Sequence, residues 1–324
     1  MGARRQKIER NLSTHHRYRI TVQQKSSKYY IYLLISMFLW GGSFVFTKHL
    51  LIDFNPITII FIRSFIAALV FAIFCIILYK SEFKIAKKDF KYFIGLVFFE
   101  PFLYFIFETY SLQLCDASVV SVIIATIPLF VALMAVFVFK ERLSGLNFFG
   151  IFLSISGIVI MLWRHFTHVD FSMLGVLLAF GAVLSTIGYN YFLRKLTFSY
   201  SPIIIITWQN ILGLIAFFPL VFIVNDAESV VSQYHALGNT MNLSFMLILA
   251  IFCSSIAFIL YIDAMRTLGV ARTNIFINLI PVMTAIIAFF VLKEEITLPK
   301  VLGIIMVIIG IFLVQQKRKA RQNN

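Results

Sequence analysis

The sequence has few cysteines and few charged residues for its 324 positions. Its three cysteines, Cys75, Cys115 and Cys253, lie in or beside apolar stretches and form no Cys-x-x-Cys pair, which argues against a disulfide framework. Charged residues make up 13% of the chain, against about 25% in globular proteins, whereas hydrophobic residues make up 60%. This balance excludes an ordinary soluble domain and favours a lipid bilayer as the solvent.

Motifs of catalysis and of metal binding are also missing. The sequence contains no His-Glu-x-x-His, no Gly-x-Ser-x-Gly and no cluster of cysteine and histidine. Four of the six histidines, His15, His16, His165 and His168, have no metal-ligand spacing on a helix face. No Walker motif is present, which argues against self-contained ATP drive. We therefore predict a protein that is not an enzyme and uses no cofactor or metal.

The net charge of +14 does not indicate a nucleic-acid surface. The basic residues lie in tails and in short loops between apolar runs rather than on one face. We predict no nucleic-acid partner.

Ten apolar runs are long enough to cross a hydrocarbon layer about 30 Å thick, which takes roughly 20 helical residues. They predict an all-α integral membrane protein with ten transmembrane helices. The predicted spans are 31–52, 56–79, 90–112, 117–139, 146–163, 173–193, 201–224, 243–264, 271–292 and 298–315.

Basic residues concentrate in every second loop, on the side that also holds the amino-terminal tail. The opposite side has only Arg164, Lys293 and Lys300. Because Lys and Arg accumulate on the cytoplasmic side of inner-membrane proteins, this distribution predicts that both termini are cytoplasmic. Residues 1–30 and 316–324 are then basic cytoplasmic tails.

The two halves of the sequence repeat at constant spacings. The spacing between Pro128 and Pro281 also separates Ala132 from Ala285, Lys140-Glu141 from Lys293-Glu294, Gly150 from Gly303 and Gly157 from Gly310. A shorter spacing, that between Pro56 and Pro202, separates Gly42 from Gly188, Lys48 from Arg194 and Leu50 from Leu196. Chance identity between apolar helices is the alternative, although the matched Pro, Lys-Glu and Gly share one register.

Each repeat contains five predicted spans, so the second enters the membrane from the opposite face. The repeats, 31–163 and 173–315, are therefore predicted to be inverted, with Glu141 and Glu294 on opposite sides. Inverted repeats are characteristic of secondary carriers that bind substrate at the repeat interface. The glycines of the repeat are expected to permit close helix approach.

Four stretches of the sequence resemble EamA-domain transporters of the drug/metabolite transporter (DMT) superfamily. The first half contains WGGSFVFTK, NPITIIFIR and ATIPLFVALMAVFVFKERLSGLNFFGIFLSISGIVIML, and the second half contains NLIPVMTAIIAFFVLKEEITLPKVLGIIMVIIGIFLV. The resemblance covers 31–315. It implies a ten-helix carrier with a central cavity, alternating access and no nucleotide-hydrolysing partner, whose relatives move amino acids, other metabolites or toxic compounds, frequently outward.

Several positions match the pattern of that family: Trp40, Gly41, Lys48, Pro56, Arg63, Pro128, Glu141, Gly150, Pro281, Glu294 and Gly303. The second half departs at two of them, with Thr186 where the first half has Trp40 and Gln209 where it has Arg63. If these positions have a role, the two halves do not share it equally.

Ionisable residues in a membrane are costly, so each is a functional hypothesis. Glu100, Tyr104 and Glu108 follow one another at steps of four, which predicts that they lie along one face of the third span. Arg63 reaches a similar depth on the second span and is a plausible partner of Glu108. Glu100 then lacks a basic partner and is a candidate for proton exchange or cation binding; the alternative is that both acids hydrogen-bond structurally.

The remaining candidates are weaker, because each has a common structural explanation in helix packing or in a solvated loop. Polar or aromatic candidates for the cavity lining are Trp40, Asn190, Gln209, Asn274 and Asn278. Prolines expected to bend helices beside the cavity are Pro101, Pro128 and Pro281. Glu141 and Glu294 are candidates for gating contacts at loop ends.

We therefore predict a secondary transporter in the inner membrane that exports small metabolites or xenobiotics, with the lipid bilayer, a small-molecule substrate and protons as partners. One alternative is a membrane sensor or scaffold whose basic tail binds a partner. Another is an intramembrane enzyme, which the missing motifs disfavour.

Overall fold

A computed structural model describes residues 28–79, 83–130, 145–166, 172–268, 273 and 276–315. The described residues form helices and connections, without a β-strand among them. The helices are α1 (Lys28–Leu50), α2 (Pro56–Leu78), α3 (Phe90–Leu114), α4 (Ala117–Phe130), α5 (Gly145–Phe166), α6 (Met173–Leu196), α7 (Pro202–Val224), α8 (Ala227–Ala236), α9 (Thr240–Leu268), α10 (Ile280–Val291) and α11 (Leu298–Gln315).

Six of these helices, α1, α2, α3, α6, α7 and α9, are long and apolar enough to cross a membrane. The other four predicted spans correspond to shorter apolar stretches, Ala117–Phe130, Gly145–Ile160, Ile280–Val291 and Leu298–Leu313. Large apolar side chains are exposed around the bundle, among them Ile77, Phe222 and Phe290. Such extensive apolar exposure is unusual for a soluble protein, so the fold is that of a multi-pass membrane protein.

The helix α8 was not predicted. It is short and polar, and it begins where the Asp226 side chain accepts a hydrogen bond from the Ser229 backbone N–H at 2.8 Å. Glu228 in its first turn is favourable beside the helix N-terminus. A search for long apolar runs misses such a helix, because its signal is the cap.

Matched positions of the two halves begin helices in the same way. Pro56 and Pro202 both occupy the first turn of their helix, behind the extended residues Asn55 and Ser201. Proline suits this position because its missing N–H would have no partner there and its φ is already helical. The Asn55 side chain also accepts the Ile57 N–H at 3.1 Å.

The helices α5 and α11 cross at four glycines. A Cβ on Gly157 would meet the Gly303 carbonyl oxygen at 2.8 Å, and a Cβ on Gly310 would meet that of Gly150 at 2.5 Å. Gly150 therefore faces Gly310 while Gly157 faces Gly303, so the helices run antiparallel. They are matched helices of the two halves, and only residues without a side chain allow this approach.

Matched helices α2 and α7 are antiparallel as well. Thr58, near the start of α2, exchanges hydrogen bonds with Asn225 after the end of α7. Cys75, near the end of α2, lies 3.3 Å from the Thr207 hydroxyl near the start of α7. The helices α1 and α9 also run antiparallel, because Ser36 contacts Ala257 and Leu39 contacts Cys253. The same holds for α3 and α6, where Ser111 contacts Gly175 and Gly95 contacts Phe192.

Three helices are irregular near their middle, and a turn precedes a fourth. π-Helical segments occupy Phe98–Leu103 of α3 and Ile248–Ile256 of α9, which are matched helices. A turn at 125–126 interrupts α4 shortly before Pro128, and a turn at 278–279 lies directly before α10, whose first turn contains Pro281. These interruptions surround a cavity in the middle of the bundle.

Candidate functional site

A central cavity lies between α1, α2, α3, α4, α6, α9 and the start of α10. Its wall is mostly aromatic and aliphatic, with a few polar and charged groups. The lining residues are Trp40, Ser43, Phe44, Arg63, Glu100, Tyr104, Phe105, Glu108, Ile124, Ile127, Thr186, Tyr189, Asn190, Phe258, Tyr261, Ile277 and Ile280.

Most of the lining residues form pairs at the two repeat spacings seen in the sequence. The pairs are Trp40 with Thr186, Ser43 with Tyr189, Phe44 with Asn190, Phe105 with Phe258, Glu108 with Tyr261, Ile124 with Ile277 and Ile127 with Ile280. Both halves of the chain thus contribute the same helix positions to one cavity, which lies at their interface.

Among the described lining residues, the charged ones come from the first half. Arg63, Glu100 and Glu108 line the cavity, whereas the matched positions for Arg63 and Glu108 are Gln209 and Tyr261. Both halves contribute aromatic side chains to the wall.

Glu100 lies where α3 loses its helical conformation, with φ −151° and ψ 120° inside the π-helical segment. The residue is 4% exposed and faces the cavity. Within the part of the chain that the structure describes, no side-chain hydrogen bond reaches its carboxyl group. A buried acid that accepts no side-chain hydrogen bond from the described residues is positioned to bind a group in the cavity.

Arg63 is 3% exposed and has partners on two other helices. Its Nε donates to the Ser254 hydroxyl on α9 at 2.8 Å, and its guanidinium carbon lies 4.0 Å from the ring centroid of Phe105 on α3. Its terminal nitrogens form no hydrogen bond with a described residue. Arg63 therefore joins the two halves and keeps part of its guanidinium for the cavity.

Arg63 and Glu108 interact through their charges but make no direct ion contact. Among the described residues no ion pair within 4.0 Å includes either side chain. The guanidinium lies on the face of Phe105 and bonds to Ser254, while Glu108 accepts a hydrogen bond from the Tyr104 hydroxyl at 3.4 Å. The position of Arg63 and Glu108 along their helices predicts how deep they lie in the membrane. It does not predict the side-chain rotamers that determine their contacts.

Trp40 forms one corner of the aromatic wall. Its ring centroid lies 4.8 Å from that of Phe258 and 5.0 Å from that of Tyr261. Its indole Nε1 is buried and has no hydrogen-bond partner in the described residues. The wall thus offers an apolar surface with one unused donor.

The other sequence candidates lie in different surroundings. Asn190 lines the cavity, while Gln209 is buried behind it and accepts from the Tyr189 hydroxyl at 3.5 Å. Asn278 is buried, and both polar atoms of its side chain lack a partner in the described residues, but it is not a lining residue. Asn274 and Glu141 lie outside the described residues.

Of the prolines, Pro101 follows Glu100 and packs against α7, where a Cβ on Gly213 would meet it at 2.6 Å. Pro281 lies in the first turn of α10, and Pro128 lies just after the turn in α4. Glu294 lies away from the cavity and forms an ion pair with Lys300.

Sequence reasoning missed Phe105, Ser254, Phe258 and Tyr261. A signal was available for two of them, because Phe258 and Tyr261 stand at the repeat spacing from Phe105 and Glu108. Ser254 had no such signal, since its role depends on the rotamer of Arg63.

The sequence model of the EamA-like transporter family matches residues 27–163 and 173–315. The chain belongs to the EamA-like transporter family. The resemblance to EamA-domain transporters seen in the sequence is thereby confirmed.

Named relatives agree with the family. An "uncharacterized transporter" of Archaeoglobus fulgidus is 25% identical over 291 residues, which cover 90% of this chain and 100% of that protein. The "uncharacterized transporter YoaV" of Bacillus subtilis is 24% identical, with coverage of 85% and 92%. A "probable amino-acid metabolite efflux pump" of Escherichia coli K12 is 22% identical, with coverage of 86% and 92%.

One solved crystal structure has a similar fold, with a TM-score of 0.62 at 12% identity over 89% of this chain and 96% of the other.

Proposed function

We propose that this EamA-like transporter is a secondary active carrier that exports a small metabolite or xenobiotic across the inner membrane by alternating access. The observation that carries the proposal is the central cavity, which both halves line at matched positions and which contains the buried acid Glu100. A binding site at the interface of two repeats suits a carrier that rocks one repeat against the other.

The proposed architecture is ten spans in two inverted repeats with both termini in the cytoplasm. The antiparallel crossing of matched helices α5 and α11 supports inversion, because an inverted repeat reverses each helix relative to its counterpart. The basic residues of alternate loops support the orientation.

Proton exchange is proposed to occur at Glu100. A buried carboxylate is costly unless it is neutralised, so Glu100 takes up either a proton or a positively charged group of the substrate. Competition between these two occupants couples export to proton entry.

The cavity groups favour a substrate that has an amino group, an anionic group and an apolar body. Glu100 suits the amino group, the terminal nitrogens of Arg63 suit a carboxylate, and the wall of Trp40, Phe258 and Tyr261 suits the apolar part. The relative named as an amino-acid metabolite efflux pump is consistent with this substrate class.

Purified protein in liposomes tests the proposal. Transport of labelled amino acids, organic cations and dyes is measured with and without an imposed pH gradient, for the wild type and for Glu100→Gln. We expect proton-driven transport in the wild type and a loss of at least about tenfold in Glu100→Gln, since a hydrogen bond to a charged group is worth roughly 1.5–3 kcal/mol and each 1.4 kcal/mol is about tenfold. The control is Glu228→Gln, the same change on the exposed helix α8. Full pH-dependent transport by Glu100→Gln contradicts the proposal.

A further inference from the structure

A charge cluster of Lys48, Asp116, Glu294 and Lys300 joins the two halves of the chain at one end of the bundle. The Glu294 carboxylate accepts the Ala117 backbone N–H at 2.9 Å and the Ser118 hydroxyl at 2.6 Å. It therefore caps the N-terminus of α4 from the opposite half. Asp116, which stands at the N-cap position, makes no capping bond of its own and binds Lys300 instead.

Lys300 completes the link between the acids. Its Nζ lies 3.0 Å from Asp116 Oδ2 and 3.2 Å from Glu294 Oε2, and the side chains of Lys300 and Glu294 are only 10% and 11% exposed. An ion pair so shielded is screened by salt far less than one on the surface. Removing one partner leaves a charge without its counterpart.

Lys48 adds α1 and α3 to the same cluster. Its Nζ donates to the carbonyl oxygens of Leu112 at 2.6 Å and Cys115 at 3.0 Å, at the C-terminus of α3, where a cation is favourable. Its charge also interacts with those of Asp116 and Glu294.

The backbone at Lys293 aims Glu294 toward α4. Lys293 has φ 58°, in the left-handed region that suits glycine, and the next N–H, that of Glu294, bonds back to the Ala288 carbonyl at 3.3 Å. The chain thus reverses sharply after α10 and places the carboxylate across the interface.

Along each helix the cluster lies on one side of the cavity. On α1, Lys48 follows the lining residue Phe44 by one turn, and on α3, Leu112 follows Glu108 by one turn. On α4 the capped residues Ala117 and Ser118 precede the lining residue Ile124 by about two turns. The cluster therefore ties three helices of the cavity wall, α1, α3 and α4, to α11 at one end of the cavity.

The repeat counterpart of Lys300 is not a lysine. By the repeat spacing it is Asn147, whose Nδ2 donates to the Leu313 carbonyl at 3.1 Å. Lys300 is therefore particular to the second half, whereas Lys48 and Glu294 have the charged counterparts Arg194 and Glu141.

We propose that the charge cluster is the outer gate of the carrier and that its contacts hold the resting protein closed to the outside. The inference rests on the proposed carrier function and on the orientation given by the basic loops. Substrate then loads from the cytoplasm, and its release outward requires Glu294 to leave α4. Water satisfies the separated groups once the mouth opens, so the gate is reversible.

Thiol accessibility tests the gate without measuring transport. Thr186→Cys places one cysteine on the cavity wall of a variant whose three native cysteines have been replaced. Right-side-out vesicles are treated with a membrane-impermeant methanethiosulfonate. We expect Glu294→Gln and Lys300→Met to raise the modification rate by about tenfold, in the range of coupling between two states, whereas Glu228→Gln leaves it unchanged.

Unchanged thiol modification rates in both Glu294→Gln and Lys300→Met would contradict the proposal that the charge cluster is a gate. Lys300→Arg retains the charge and is expected to stay near the parental rate, which separates gating from folding damage. If Glu294→Gln fails to accumulate, Ser118→Ala replaces it, because this variant removes one hydrogen bond and retains every charge. Unchanged modification rates in both Ser118→Ala and Lys300→Met then contradict the gate.

The gate and the proposed function can fail separately. Transport by Glu100→Gln addresses the carrier, while labelling of the gate variants addresses the mouth. If Lys300→Met raises the labelling rate as expected but the protein transports none of the tested substrates, the gate is supported and the proposed function is contradicted.

Discussion

The contacts of Arg63 depend on the shape of its guanidinium as well as on its charge. A planar group can lie flat on Phe105 and still donate from Nε to Ser254, which the ammonium of lysine cannot do. The side chain links α2, α3 and α9 beside the cavity, so its loss affects both packing and substrate binding.

We predict that Arg63→Lys lowers the free energy of unfolding by about 1–2 kcal/mol, through the lost cation–π contact and hydrogen bond. It should also raise the KM for substrate. Thermal melting in detergent and transport kinetics in liposomes measure the two effects. Ser254→Ala is the comparison, since it removes only the hydrogen bond and should produce the smaller loss. Parental melting and KM in Arg63→Lys would falsify this role.

Several residues that the sequence singled out lie on the cavity wall, but their contacts did not follow from the sequence. Glu100, Arg63, Glu108 and Trp40 line the cavity, because the depth of a residue along a span follows from its position in the sequence. The partner of Arg63 did not follow, because a long side chain selects its rotamer from neighbours on other helices.

At the scale of elements, the crossing of α5 with α11 depends on the absence of side chains. A Cβ on Gly310 would meet backbone or side-chain atoms of Gly150 and Ser154 within 2.7 Å, and a helical backbone cannot yield as a flexible side chain can. Such overpacking costs about 1–3 kcal/mol or more.

We predict that Gly310→Val destabilises the protein by at least about 2 kcal/mol, because the helices must separate. The matched control is Gly145→Ala at the start of α5, where a Cβ would meet nothing within 4 Å, and it should change stability by no more than about 0.5 kcal/mol. Melting in detergent measures both. Equal melting temperatures for the two variants would show that the crossing tolerates side chains.

The helices themselves were the most predictable elements. Long apolar runs and the prolines at 56 and 202 placed α2 and α7 to within a residue or two. The π-helical segment of α9 was not predictable, because Ile248–Ile256 contains no proline or other local signal. The short helix α8 was missed for a different reason, since it follows its cap rather than an apolar run.

For the whole molecule, the repeat is the feature from which the paired lining of the cavity follows. Matched positions line the cavity in pairs, yet its described charges come from the first half, and Lys300 of the charge cluster has the uncharged counterpart Asn147. Under the proposed function, the repeat supplies two equivalent packings, and these asymmetric groups select a direction. The repeat spacing was visible in the sequence, whereas the asymmetry became meaningful only once the lining was known.

Inversion makes the sharpest prediction at this scale. If the repeats enter the membrane from opposite faces, the segments after Glu141 and Glu294 lie on opposite sides, although their sequences match. Single cysteines at Ser144 and Ile296 test this in vesicles of both orientations, with Lys87→Cys as a marker of the side predicted to be cytoplasmic. An impermeant thiol reagent should modify Ile296→Cys in right-side-out vesicles, and Ser144→Cys and Lys87→Cys only in inside-out vesicles. Modification of Ser144→Cys and Ile296→Cys from the same face would remove the inverted repeat, and with it the physical basis for alternating access.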